Sequence, residues 1–393
     1  MRGICRGMIK TLAWCAAALP CLAQTSSSPM QGVEAVSRQV LRPGKAVLGE
    51  LNQHGISFQG TGIYDWSKAI STADSESGFG RYSFDFGMAV DGKKLWGLNG
   101  STALVRVRNH ANNFGSDCVG AAQLYSNIDG TPRTTIYEAW IEQRIAERLR
   151  LKVGKIDANT EFAAVQTASD FLNSSMGYSP TIVAFPSYPE PKLGFNASIS
   201  AGRSNALSVG IFQTAGAGAM LIAEPSHSWA IGQDEKGGRA SFGYWHLGGR
   251  LTGFDGNTSS GTQGVYSVVE QALWRSSSEK RGPQKLSAFL QLGAADGRVS
   301  SYARHLGGGA VLQGTLRRRT QDSMGSAVTW VQFSRQTEAG FDLPGERIFE
   351  TYYKFAISRH LALIQDFQFV HNGGGLRSNP DCSIITPRLA ISF

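Results

Sequence analysis

From Gly55 to the last residue the side chains alternate in kind with a period of two, in segments of about ten residues divided by turns. Tyr82, Phe84, Phe86, Met88 and Val90 point one way, and Arg81, Ser83, Asp85, Gly87 and Ala89 the other. Tyr137, Ala139 and Ile141 oppose Glu138, Trp140 and Glu142. Phe349, Thr351, Tyr353, Phe355 and Ile357 oppose Glu350, Tyr352 and Lys354. At the end, Ile385, Pro387, Leu389, Ile391 and Phe393 oppose Thr386, Arg388, Ala390 and Ser392. A soluble sandwich would turn the apolar row to a core. A transmembrane barrel turns it to lipid and the polar row to a wet lumen. The repetition over roughly 340 residues, short turns alternating with long loops, and aromatics near segment ends favour the barrel. Those aromatics are Tyr64, Trp66, Trp96, Trp229, Trp245, Tyr266 and Trp274, expected in interfacial girdles.

Sixteen strands are expected, at 55–65, 80–91, 101–110, 134–145, 148–157, 192–202, 206–213, 219–231, 239–250, 264–275, 285–296, 305–316, 325–336, 346–357, 360–371 and 383–393. An even number puts both ends of the barrel on one side of the membrane. The short turns then face the periplasm and the long loops the exterior. The fold class is therefore all-β, a transmembrane antiparallel barrel with some loops folded into the lumen. Composition agrees: 47 Gly and 17% charged residues suit a strand-rich membrane wall, and 20 Phe, 11 Tyr and 8 Trp exclude a disordered chain. Beyond residue 23 no apolar stretch is long enough for a spanning helix.

Residues 1–23 read as a secretory signal peptide: Arg2, Arg6 and Lys10, then the apolar run Thr11 to Leu22, then a cut after Ala23. A membrane anchor or a lipoprotein leader is the alternative. Residues 24–54 read as a periplasmic arm, weakly helical through Val33, Val36, Val40 and Leu41, and residues 55–393 as the barrel. The net charge of +8 falls to 35 − 30 = +5 once the leader's three basic residues are removed. That is too mild, and Arg317-Arg318-Arg319 too short, for a nucleic-acid surface. Cys118 and Cys382 remain in the exported chain and lie in loops of the same side, so a disulfide between them is open. No Cys or His spacing forms a metal ligand set, and no cofactor is implied.

Three blocks carry a resemblance. The first runs Gly154-Lys155-Ile156-Asp157, Glu161-Phe162-Ala163, Phe171-Leu172-Asn173-Ser174-Ser175-Met176-Gly177, Ser179-Pro180 and Tyr188-Pro189, preceded by Tyr137-Glu138-Ala139-Trp140-Ile141-Glu142-Gln143. The second is Glu350-Thr351-Tyr352-Tyr353 with Asp366-Phe367-Gln368-Phe369, and the third Gly55-Ile56-Ser57-Phe58. Together they resemble the carbohydrate-selective porin (OprB-type) family of Gram-negative outer membranes, over about residues 42–393. The segment from Ala46 to Gly49 and the turn His371-Asn372-Gly373 depart from its pattern. The resemblance implies a sixteen-stranded barrel narrowed by inward loops and passive diffusion of mono- or disaccharides. A general or weakly anion-preferring porin is the alternative.

The facing assignment puts Arg106, Arg108, Arg150, Lys152, Lys354 and Arg388 in the lumen against Asp85, Glu138, Glu142, Glu350 and Asp366. Six positive against five negative charges do not make a strong ion filter, and guanidinium and carboxylate groups can hydrogen-bond sugar hydroxyls in pairs. Trp140 and Tyr352 could stack on sugar rings or support a loop. The twelve expected sugar-contacting positions are Arg106, Arg108, Glu138, Trp140, Glu142, Arg150, Lys152, Glu350, Tyr352, Lys354, Asp366 and Arg388. The 34-residue segment from Ala158 to Pro191 carries Phe162, Phe171, Leu172, Met176 and Phe185. It is too long for a simple connection and too apolar for an exposed one, so it is expected inside the barrel. Segment 111–133 is the second candidate. Phe393 as last residue resembles a terminal signal for the barrel assembly machinery. Lipid, lipopolysaccharide and a second copy of the chain are the other partners considered. No enzyme is expected: His246 lies near Ser241, but no orienting acid follows.

Overall fold

In the computed structural model, residues 48–70, 78–111, 119–214, 218–232, 236–278, 282–316 and 319–393 are described. The proposed leader, most of the arm, Cys118 and with it the question of a disulfide to Cys382, and Arg317 and Arg318 lie outside them. Sixteen strands are present: β1 Ile56–Ala69, β2 Gly78–Asp91, β3 Ser101–Ala111, β4 Arg133–Ile145, β5 Leu149–Ile156, β6 Lys192–Ala201, β7 Asn205–Gln213, β8 Ala219–Ile231, β9 Lys236–Thr252, β10 Thr258–Ser278, β11 Gly282–Ala295, β12 Tyr302–Gln313, β13 Ser323–Phe333, β14 Gly345–Ala356, β15 Leu361–His371 and β16 Cys382–Ser392. Each pairs with its neighbours in sequence, and β1 pairs antiparallel with β16, so the sheet closes. No described helix is long and apolar enough to cross a membrane. The crossing elements are strands.

Closure is finished by the last residue. Phe393 N donates to Gly60 O at 3.0 Å and Gly60 N to Phe393 O at 2.9 Å. The Phe393 ring lies on Gly60, where an added Cβ would come within 2.1 Å of it. The two chain ends of the barrel are thus stitched where an edge would otherwise be open to lipid.

The outer face carries the apolar rows. Phe84, Phe86, Val105, Ile141, Val153, Leu193, Leu221 and Phe242 are all exposed. So large an apolar belt is tolerable only against hydrocarbon. Of the expected girdle aromatics, Tyr64, Trp66, Trp96 and Trp274 are exposed. Trp245 and Tyr266 are not: both turn inward and are buried. Tyr266 lies flat on Gly243, where a Cβ would sit 1.9 Å from the ring, and its hydroxyl reaches Glu224 at 2.7 Å.

Antiparallel order puts alternate connections at opposite ends. One end gathers the connections that follow β1, β3, β5, β7, β9, β11, β13 and β15, here called the loop end, with 119–132, 157–191, 253–257, 296–301, 334–344 and 372–381 among the described residues. The other, the turn end, has the shorter links. The long loop expected at 251–263 is five residues, because β9 and β10 continue their pairing to Thr252 and Thr258. Where a plain turn was expected after β2, Gly92–Trp96 is helical. Asp91 caps it by accepting from Lys93 N at 2.9 Å, and Gly97 ends it in the left-handed region, φ 72°. Residues 48–57 and Val90–Leu98, which include this helix, belong to one small compact unit. Within it Asp91 N donates to Gly55 O at 2.7 Å. The remainder, Phe58–Ala89 and Asn99–Phe393, is the second unit and carries the lumen.

Candidate pore constriction

Segment 157–191 leaves β5 and returns to β6 with its ends tied together. Ala158 N donates to Pro186 O at 3.0 Å, and Ser187 Oγ to Asp157 at 2.6 Å. Between these ties the chain crosses the lumen on an apolar spine. Ala158, Phe162, Ala163 and Ile182 pack on Ile156, Phe212, Met220, Ile222, Trp245, Leu247 and Tyr266 of the wall. Val165, Ala168, Phe171, Leu172 and Met176 pack on Val268, Phe289, Val311, Ala327, Tyr352 and Ile364. Phe171 meets Tyr352 edge-on with centroids 4.8 Å apart. Each such large side chain contributes about 1.5–3 kcal/mol by leaving water. The inward fold expected from the apolar content of this segment is observed.

A loop inside a barrel must still satisfy its backbone N–H groups. Inward carboxylates do this. Glu224 accepts from Ala163 N at 2.8 Å, Glu270 from Thr167 N at 2.6 Å, and Glu350 from Leu172 N at 2.5 Å. Segment 119–132 is held the same way: Glu346 accepts from Ala122 N at 2.8 Å and Gln123 N at 2.9 Å. Its Val119, Ala121 and Tyr125 pack on Ile348, Val370, Cys382 and Ile384. Arg388, paired with Asp65 at 2.7 Å, donates to Asn127 at 2.9 Å. The two loops then join: Asn127 N donates to Leu172 O at 2.6 Å and Ser174 N to Leu124 O at 3.0 Å.

On the wall from β2 to β5 the inward charges form a ladder. Arg108 donates twice to Asp85, at 2.5 and 2.6 Å. Its guanidinium lies 3.5 Å over the Tyr137 ring. Arg106 pairs with Glu138 at 3.0 Å, and Trp140 Nε1 donates to Glu138 at 3.2 Å. Lys152 sits 3.9 Å over the Trp140 ring and pairs with loop residue Glu161 at 2.6 Å. Arg150 bridges Glu161 and, at 3.2 Å, Glu142. Burial pushes the Glu161 carboxyl up, but Lys152 and Arg150 outweigh it and hold the group below the ordinary carboxylate range.

The twelve expected positions therefore divide. Arg106, Arg150 and Lys354 keep 26–29% of their side chains exposed in the lumen. Lys354 pairs with loop residue Asp170 at 2.7 Å. Arg108, Glu138, Trp140, Glu142 and Lys152 form the ladder around them. Glu350, Tyr352, Asp366 and Arg388 are buried beneath the two loops, which cover them from the open lumen. Glu224, Glu270 and Glu346 were not singled out from the sequence. Their only signal is a carboxylate on the inward row of a strand.

Tyr137 is a correction. It was placed on the lipid row, yet it is buried, and Ile136 is exposed instead. Arg106 pairs with Glu138 and Val107 with Ile136, so Tyr137 is the extra residue of a β-bulge. The bulge turns its ring under Arg108 and its hydroxyl onto Asp157. Ser241 is buried on the inward row, in register with neighbours two residues apart, whereas His246 falls on the other row. They do not form a catalytic pair. Among the described residues no cluster of His, Cys, Asp or Glu could hold a metal.

The family described as "Carbohydrate-selective porin, OprB family" matches residues 80–393. Among solved structures, the chain is similar to OprB of Pseudomonas putida at high pH, with 15% identity, TM-score 0.80, and coverage of 89% of this chain and 97% of that one. The low-pH structure of the same protein gives 17% identity, TM-score 0.58, and coverage of 90% and 97%. A loop-deletion mutant of OmpT from Vibrio cholerae gives 8% identity, TM-score 0.52, and coverage of 86% and 99%. No curated protein matches the chain in sequence.

Proposed function

Since this chain belongs to the carbohydrate-selective porin, OprB family, and is thus a non-enzymatic outer-membrane porin, we propose that small sugars diffuse passively past the β2–β5 wall. The observation that carries this reading is the asymmetry of the lumen. The apolar contacts and backbone-holding carboxylates of the two loops fall mostly on β7–β16, with Arg81 of β2 paired to Asp129 as a further tie. The β2–β5 ladder keeps guanidinium groups open to water.

A sugar in transit exchanges water for paired hydrogen bonds, so each contact must be favourable enough to enter and weak enough to leave. Arg106 and Arg150 donate to hydroxyls from rigid positions, because Glu138, Glu142 and Glu161 already hold one side of each fork. Lys354 donates from the opposite wall. Trp140, tied to Glu138 and covered by Lys152, positions the ladder and offers at most an edge. In this reading Glu350, Tyr352, Asp366 and Arg388 shape the pore by holding loops.

The remaining parts follow the same proposal. The leader directs export and is cut near Ala23, residues 24–54 form a periplasmic arm, and the loop end faces the exterior. Phe393 serves the assembly machinery, and outer-membrane lipid with lipopolysaccharide surrounds the belt. A homo-oligomer is compatible with the exposed belt. Liposome swelling with a panel of mono- and disaccharides tests the reading. Swelling that falls steeply from pyranoses to equally small neutral polyols and amino acids would contradict nothing; equal rates for all of them at matched size would replace it by a general porin.

A further inference from the structure

Below the crossing loop, toward the turn end, the lumen opens sideways into a recess of about 530 Å³ between the loop and strands β8 to β12. This volume lies within the usual range for small-molecule sites, about 300–1,000 Å³. None of its residues belongs to the β2–β5 ladder. Its floor is built: Glu270 holds Thr167 N at 2.6 Å and pairs with Arg239 at 3.5 Å, and Arg239 also pairs with Glu224 at 2.8 Å. Asp170 lines the recess as well, paired with Lys354 at 2.7 Å and accepting from Ser323 Oγ at 2.9 Å, so each of these carboxylates already has a partner.

The recess contains two more cations. Arg275 and Lys285 are direct partners across β10 and β11, and both line it. Lys285 shares its row with the buried inward residues Ser287 and Phe289, and facing partners lie on one side of a sheet. Like charges directly opposite one another are unfavourable. Among the described residues neither has a carboxylate at ion-pair distance. Lys285 is also in register with Gln313 on its other side, so neutral hydrogen-bonding groups flank the pair. A like-charge pair with no ion-pair partner among the described residues, in a recess whose carboxylates are already paired, is a receptor for an anion carried on a polyhydroxylated body.

We propose that this recess is a subsite for acidic sugars, pyranoses bearing a carboxylate or a phosphate. The anion lies between Arg275 and Lys285, and the ring hydroxyls reach Ser287, Gln313 and Thr167. The subsite is separate from the β2–β5 path and makes the turn-end mouth of the pore favour sugar anions over the neutral sugars that the ladder takes. The inference rests on the reading of an open sugar-conducting lumen. Glucose reports on that reading and acidic sugars on the recess.

The test uses the full chain in planar bilayers, with glucose, glucuronate, glucose 6-phosphate and inorganic phosphate added to each side in turn. Block of the current by glucuronate or glucose 6-phosphate is expected at lower concentration from the turn end, weakening with salt. In the R275Q/K285Q variant the half-blocking concentration of these sugars rises about tenfold, and that of glucose stays unchanged. R275Q alone, at an exposed position, gives about a threefold rise if the double variant does not assemble. A change for one acidic sugar only identifies which anion is received and supports the site. Filling the recess with S287W has the same effect as removing the charges. Unchanged block by both acidic sugars in R275Q/K285Q or R275Q overturns the proposal, whatever glucose does. Block by inorganic phosphate as strong as by glucose 6-phosphate overturns the sugar part of it.

Discussion

The β2–β5 wall and the β13–β16 wall start from the same materials, arginine, carboxylate and an inward aromatic, and put them to opposite uses. On the first, Arg106, Arg150 and Trp140 keep contact with the lumen. On the second, Arg388, Glu350 and Tyr352 are buried under loops. The difference is not in the strands, which alternate alike. It comes from what the loops bring: Phe171, Leu172 and Tyr125 supply apolar surface to one wall, whereas the other receives mainly polar partners, Glu161 on Lys152, Asp129 on Arg81 and the Tyr188 ring over Arg108. A lumen residue is thus a ligand contact or an anchor according to which loop lies over it.

This contrast can be broken most severely at Glu350. Removing its carboxylate with E350L leaves the Leu172 and Asn173 N–H groups buried without acceptors, at about 1–3 kcal/mol each. Single-channel recording should show a larger and noisier conductance with loss of sugar block, and E350Q, which keeps an acceptor, should fall between E350L and wild type. Next is F171A, which empties the contact with Tyr352 and Phe289 and costs about 3–5 kcal/mol of loop docking. Limited proteolysis of segment 157–191 reads this. On the ladder the effect is on ligand and not on shape. R106Q should weaken sugar block severalfold while conductance stays near wild type, since one contact to a hydroxyl contributes about 1–1.5 kcal/mol.

The smallest effect is with acid. Glu161 is held below its ordinary value of 4.5 by Lys152 and Arg150. Its depressed carboxyl stabilises the folded loop above that value, and the contribution is lost as pH falls through the lowered one. Conductance should therefore be flat down to pH 4.5 with respect to this residue and change only below it. In E161Q that low-pH step should be absent.

The barrel was legible because lipid enforces the period of two over every strand: β8, predicted at 219–231, is observed at those bounds. The inward course of segment 157–191 was legible because five large apolar side chains have no business in an exposed loop. What alternation could not show is where it is interrupted. One extra residue at Tyr137 turned a lipid-facing ring into the plate under Arg108. Trp245 and Tyr266 near strand ends read as girdle residues, but a glycine row opposite and a loop above gave them an inner place. Nor does a strand pattern tell an anchor from a contact. Glu350 and Glu138 occupy equivalent inward positions, and what separates them is their partners: Glu350 holds Leu172 N and Asn173 N deep in the crossing loop, whereas Glu138 pairs with Arg106 and reaches only the first loop residue, Asp157 N, at 3.4 Å.

The account stands on the β2–β5 ladder as the sugar path. Titrating glucose against the current through wild type and an R106Q/R150Q double variant measures that directly. The account predicts a half-blocking concentration raised about tenfold, with open-channel conductance changed far less. An unchanged half-blocking concentration in a normally conducting double variant would contradict it.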